Sequence, residues 1–233
     1  MPTDSIRSVI EKEEHFLVTA IADLPEIDTA AVTGETRAVV AAGKGGWLRH
    51  AIAASNDDEP GATSFGALNW RSGQGALYME ARICISDITD NKFFVGFGDT
   101  IASSAETSFS ATTDTVTIAT MSDAIGILFD NDATTKALWC VAGATDVVTV
   151  GQVLSTEFNP VAATPLVLGV WLSADRKSAR WYVNGREVWH VDGTAVLVAA
   201  ANLVPGVWDY EQGTAYNDDI DYIYAKTTLS TVV

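Results

Sequence analysis

Beyond residue 39 the chain alternates between short apolar-patterned blocks and polar turns. Across residues 76–86, Leu77, Met79, Ala81, Ile83 and Ile85 take one set of alternate positions, and Tyr78, Glu80, Arg82, Cys84 and Ser86 take the other. Successive strand residues point to opposite faces, so this pattern predicts a strand with one buried face. A mostly polar turn, 87–91, leads to a second strand at 93–98, Phe-Phe-Val-Gly-Phe-Gly. Further strands are predicted at 124–129, 137–141, 147–153, 165–172, 179–183, 187–191 and 219–225. The 165–172 run is apolar at every position and predicts a strand covered on both faces.

Two connections are readable in detail. Asn184-Gly185 separates Trp181-Tyr182-Val183 from Glu187-Val188-Trp189; a two-residue type I′ turn needs positive φ at both central positions, which these residues tolerate. The polar segment 173–178 reads as the preceding hairpin loop, giving a three-strand meander. Many short strands at hairpin spacing predict an all-β sandwich or barrel.

The first 38 residues read differently. Ile6, Val9, Ile10, Phe16, Leu17, Ala20 and Ile21 recur at helical spacing, with Glu11, Lys12 and Glu14 between them. This predicts an amphipathic helix over 5–21 capped by Ser5; the competing reading is an edge strand at 15–21. Pro25 ends either element. The chain is thus expected to divide into an arm, 1–38, and a β domain, 39–233.

Charge and composition narrow the classes. The 233 residues carry 14 Lys+Arg against 30 Asp+Glu, a formal charge of −16. Nucleic-acid binding through phosphates needs clustered cations, so no nucleic-acid partner is expected. Hydrophobic residues make up 48% and include seven Trp, enough for a packed core rather than a disordered chain. No apolar run reaches the roughly 18 residues of a membrane helix, and the first residues lack a signal-peptide layout, so no membrane partner and no export are expected. Cys84 and Cys140 sit in apolar runs and read as small buried hydrophobes, with their pairing left open. No Asn-x-Ser/Thr sequon occurs, which disfavours a secreted glycoprotein.

Catalytic and cofactor signatures are missing. His15, His50 and His190 are far apart and in no metal-ligand spacing, and no Gly-x-Ser-x-Gly elbow is found. Gly43-Lys44-Gly45-Gly46 lacks the rest of a phosphate loop and reads as a turn. Glu26-Ile27-Asp28 begins a Glu-x-Asp-x-x-Glu hydrolase pattern, but Ala31 takes the place of the third acid. The acidic segments 56–59, 87–91, 130–132 and 217–221 read as oxygen-rich loops without a calcium-loop spacing. No catalytic residue, metal or cofactor is expected. Most of the seven tryptophans lie in strands and belong to the core, with Trp70 and Trp208 the candidate exposed exceptions that would stack on sugar rings.

Five short motifs in order carry a resemblance. They are Leu77–Arg82 leading to Phe94-Val95-Gly96-Phe97-Gly98-Asp99, then residues 123–130, 168–172, 179–185 and 220–224. Together they resemble the concanavalin A-like jelly roll, in the group of laminin-G-like and legume-lectin-like modules, and in this version the jelly-roll proteins among tailed-bacteriophage virion components. The resemblance implies an antiparallel jelly-roll β-sandwich and a non-enzymatic capsid decoration or cement protein. It would sit on the outer capsid surface, contact the major capsid protein and itself, as a trimer, and be made in the host cytoplasm. Ile6, Val9, Ile10, Phe16 and Leu17 would then be assembly contacts, unless the arm folds back on its own sandwich. The alternative is a lectin-like virion module for host glycans. Fold-level analogy carries this step.

Overall fold

The computed structural model describes residues 9–18, 20, 23–24, 27–30, 35–41, 46–52, 60–65, 70–99, 109–118, 121–211 and 216–229. In chain order the strands are β1 (Val9–Glu14), β2 (Asp28–Ala30), β3 (Glu35–Ala41), β4 (Gly46–Ile52), β5 (Pro60–Ser64) and β6 (Trp70–Arg71). There follow β7 (Gly75–Ile85), β8 (Asn91–Gly98), β9 (Phe109–Thr112), β10 (Thr115–Ile118), β11 (Ala124–Asp130) and β12 (Leu138–Ala144). The last six are β13 (Val147–Val153), β14 (Leu166–Leu172), β15 (Ala179–Val183), β16 (Arg186–Val191), β17 (Asn202–Glu211) and β18 (Tyr216–Leu229). No α-helix occurs among the described residues; Thr156–Phe158 forms a single 3₁₀ turn.

The strands build two antiparallel sheets, a jelly-roll β-sandwich. The first runs β16-β15-β14-β7-β18-β4-β3, with β1 also paired to β18; the second runs β13-β12-β11-β8-β17-β5-β2, with β6 against β17. The main core lies between them. Leu77, Met79, Ala81, Ile83 and Ile85 of β7 meet Phe93, Val95 and Phe97 of β8 and Ile125, Ile127 and Phe129 of β11. The alternation predicted for 76–86 is therefore the real one, with the odd-numbered side chains inside. Trp181 adds a polar tie, its indole N–H donating to the Gly126 carbonyl of the opposite sheet at 2.7 Å.

Hairpin turns follow the predicted chemistry at one site and depart from it at two. Asn184 and Gly185 have φ of 50° and 75°, as the β15–β16 turn requires. The β9–β10 and β12–β13 turns place Thr113-Asp114 and Thr145-Asp146 at positive φ as well, although neither pair contains glycine.

The outer face of the second sheet is closed by a smaller apolar layer. Phe94, Trp208, Leu128, Trp139 and Val141 project outward there and are covered by Phe109 and Ala111 of the β9–β10 hairpin, with Met121 and Ala133. Three glycines stand in one cross-strand row, Gly206 opposite Gly96 and Gly96 opposite Gly126. The Phe94 ring lies across the last two: a Cβ on Gly96 or Gly126 would come within 2.8 Å or 2.6 Å of it.

The first 38 residues do not form the predicted helix. Val9–Glu14 is a strand in register with 223–228 of β18, β2 pairs with β5, and β3 pairs with β4. Of the proposed assembly contacts, Phe16 is fully buried in the main core, so it packs on its own sandwich instead of a neighbour. Val9, Ile10 and Leu17 are exposed at 45%, 40% and 73%. Ile6 and the segments 42–45 and 56–59 lie outside the described residues.

Candidate functional site

With the second sheet covered, the outer face of the first sheet is the place to look for chemistry; no described element packs over it. Its central strands present Tyr78, Glu80, Arg82 and Cys84 from β7, Val167 and Trp171 from β14, and Arg180 and Tyr182 from β15, all half-buried. β18 contributes Asp219, Tyr222 and Tyr224, and β4 contributes Trp47 and Arg49. Register fixes who meets whom. Tyr182, Gly169, Glu80 and Tyr224 form one cross-strand row, and Arg180, Trp171, Tyr78 and Lys226 form the next.

Glu80 is the hub. Its two carboxylate oxygens accept hydrogen bonds from the Tyr78 and Tyr222 phenols, the latter at 2.9 Å. The bare Gly169 leaves space beside Glu80 that the Tyr78 ring tip fills, since a Cβ there would meet the Tyr78 hydroxyl at 3.5 Å. Tyr78 contacts Tyr182 on one side and Tyr224 on the other in edge-to-face pairs, with centroids 6.2 and 5.9 Å apart. The result is a ladder of aromatic rings running across the strands, each ring carrying a polar tip. Burial, then the bond to Glu80, pushes the Tyr78 and Tyr222 phenols far above their ordinary value. Burial and the bond to Glu11 push Tyr224 up to about 12. These hydroxyls remain protonated donors at any physiological pH.

A bulge in β18 makes the ladder continuous. Ile220 pairs with Ile83, but the next partner pair is Tyr222 with Arg82, so one extra residue is inserted. Asp221 and Tyr222 consequently both serve the outer face, where the Asp221 carboxylate accepts from Arg82. Arg82 also lies over the Trp47 ring at 5.4 Å, and Arg180 over Trp171 at 5.9 Å. Arg49 is held by both oxygens of Asp219, at 2.7 and 2.8 Å. Cys84 lies on this face, half-buried and not in the core; burial first and the nearby Asp219 second raise its thiol. Cys140 is buried in the core, and both thiols are free.

A second constellation lies between the sheets. His50 of β4 and Asp218 of β18 point inward from the first sheet, opposite Thr63 of β5, Asp209 of β17 and Asn91 of β8 from the second; all five are buried. His50 Nδ1 is 2.8 Å from Asp209 Oδ2, and Nε2 is 2.7 Å from Thr63 Oγ1. The Asn91 amide donates to both oxygens of Asp218, at 2.9 and 3.0 Å. The order Thr–His–Asp is that of an activated nucleophile. Yet Thr63, His50 and Asp209 are each 0% exposed. In the described residues Thr63 meets no solvent through which a substrate could arrive, and the arrangement acts as a polar tie between sheets. Burial pushes both carboxyls upward. At Asp209 the attraction and hydrogen bond of His50 outweigh it and hold the group below its ordinary value. At Asp218 burial, reinforced by Asp209, wins and raises the group well above the carboxylate range.

Several predicted positions change meaning here. Trp70 and Trp208, the candidate exposed tryptophans, are 2% and 0% exposed and belong to the two apolar layers, so neither presents a face to a sugar. The acidic segment 217–221 is not a loop but part of β18, where Asp218 faces in and Asp219 faces out. Asp87 and Asp130 accept backbone amides, from Thr89 and from Ala111 and Asp132, as turn and strand-end residues do. No group of three or more His, Cys, Asp or Glu among the described residues is arranged to hold a metal ion. No helix among them is long and apolar enough to cross a membrane.

No protein-family model matches the chain, and no curated protein matches it in sequence. Solved structures do resemble it. Peanut lectin superposes with a TM-score of 0.57 at 14% identity, over 96% of this chain and 99% of that one. Bacillus licheniformis β-glucanase gives 0.59 at 13% identity, over 94% and 98%. A carbohydrate esterase from the Shiga toxin-encoding bacteriophage phi24B gives 0.51 at 14% identity, over 93% and 100%. At these identities the likeness establishes the fold: an antiparallel, concanavalin A-like jelly roll of the kind found in lectins and glucanases. Those relatives include enzymes as well as lectins.

Proposed function

We propose that the chain is a lectin-like carbohydrate-binding module whose ligand lies across the outer face of the first sheet. One observation carries the reading: the ladder Tyr182–Tyr78–Tyr224 built around Glu80. Sugar rings present apolar C–H faces bordered by hydroxyls, and aromatic rings with polar tips beside a fixed carboxylate complement both features at once. The closed outer face of the second sheet supports the same choice, as does a fold shared with peanut lectin, a β-glucanase and a phage carbohydrate esterase. The module binds without performing chemistry. Glycan-array screening followed by calorimetry tests it: Tyr182→Ala and Trp171→Ala should abolish binding while the fold persists, and retained affinity in both variants would refute the site.

A second reading, capsid decoration on a phage virion, draws on the apolar edge of β1. Val9 and Ile10 are exposed on a strand that pairs only with β18 among the described residues, and Leu17 follows close by. Such an edge suits docking to a capsid subunit or to another copy of the chain. Ile10→Lys with Leu17→Asp should then lower occupancy on undecorated capsids, and unchanged occupancy would dismiss this reading.

A further inference from the structure

The glycan-binding reading leaves open which glycans fit, and the charges on the same face narrow the class. Each of its three guanidiniums is already engaged by carboxylate. Arg49 is chelated by Asp219, Arg82 is bonded to Asp221, and Arg180 reaches Glu187 at 3.2 Å and Asp192 at 3.5 Å. The cation Lys226 stands opposite Glu11 in the β1–β18 register. Glu80 has no cationic partner; two phenols solvate it. Four cations therefore face six carboxylates, Glu11, Glu80, Glu187, Asp192, Asp219 and Asp221, on a molecule of net charge −16.

Resting on the reading above, we infer that this face takes glycans without acidic groups and rejects uronates, sialates and sulfate esters. An acidic sugar would have to take a guanidinium from its carboxylate and leave that carboxylate beside the new anion, a like-charge arrangement that opposes binding. A neutral hydroxyl needs no such exchange. The second lone pair on each Glu80 oxygen, and the phenol oxygens themselves, accept from it directly. Trp171 and Tyr182 supply ring faces for its C–H groups.

Matched probes decide the matter: lactose against 3′-sialyllactose, and neutral galactan oligomers against oligogalacturonates, titrated calorimetrically at low and at high salt. The neutral member of a pair is expected to bind at least about tenfold more tightly at low salt, with the gap narrowing as salt rises. Asp221→Asn, which leaves Arg82 without its carboxylate, should shift the ratio toward the acidic member; Asp219→Asn, releasing Arg49, repeats the test if the first variant does not fold. Equal or tighter binding of the acidic member to the natural chain overturns this inference and leaves the glycan reading standing. Binding of no glycan on an array overturns both.

Discussion

His50 and Asp209 meet across the sandwich, imidazole to carboxylate at 2.8 Å, with neither side chain exposed to solvent. Each comes from a different sheet, so the bond ties β4 to β17 through the core. Removing one partner leaves the other buried without compensation, which costs about 3–5 kcal/mol. His50→Ala and Asp209→Ala should each lose that much in urea unfolding. The double variant should lose clearly less than the two together, because the coupling energy is counted only once.

Stability should depend on pH through Asp218. Its folded-state value lies above the unfolded one, so its favourable contribution is complete below about pH 4 and is lost as pH rises through the folded value. His50, Asp209, Asp219, Asp87 and the Asn91 amide are the groups that face it. Asp218→Asn should therefore be more stable than the natural chain near neutral pH, by about 1–2 kcal/mol, with the advantage fading toward pH 4. Asp209 has the opposite sign: its contribution is present above the unfolded value and is lost in acid. Melting temperatures of Asp218→Asn and Asp209→Asn across this range should diverge in opposite directions.

The tryptophans separate into two groups by what their loss would do. Trp208→Ala and Trp70→Ala empty space in the apolar layers and should destabilise by about 3–5 kcal/mol. Trp171→Ala removes a half-buried ring from the outer face and should cost less than about 2 kcal/mol while removing ligand binding. Parallel unfolding and binding curves for the three variants test this division.

Gly96 is held to a hydrogen side chain by its neighbours on both strands. A Cβ there would lie 2.2 Å from the Ile125 carbonyl oxygen and 2.6 Å from the Gly126 Cα, both backbone atoms that cannot swing aside. Gly96→Ala should destabilise by about 1–3 kcal/mol or more. Gly185→Ala meets no atoms within 4 Å, and its cost should come from the positive φ alone.

The strands that were legible in the sequence are those whose own residues carry the signal. β7 alternates strictly, β8 and β14 are continuous apolar runs, and Asn184-Gly185 names its turn. β17 escaped because Pro205 and Gly206 interrupt it and Asp209 sits at an inward position, a polar residue that only its partner on β4 explains. The same holds for His50: one inward place after Leu48, it reads as an isolated histidine until β5 and β17 bring Thr63 and Asp209 to it. The helical spacing near the start of the chain gave way to pairing with β18, a partner more than 200 residues distant. The outer-face ladder was partly visible, since Tyr78 and Glu80 were read as outward-facing. What hid its extent was the bulge, which no local pattern announces.

That bulge also makes the molecule's inside and outside interchangeable along one strand. Because side chains alternate, every residue of β18 after Asp221 owes its face to the one inserted position. Deleting Asp221 would leave all other residues present, yet would turn Tyr222, Tyr224 and Lys226 toward the core and Ile223 and Ala225 toward water. Point substitutions can tune this surface one side chain at a time. A single-codon deletion would invert it, so length at this point in the chain is under a tighter constraint than identity.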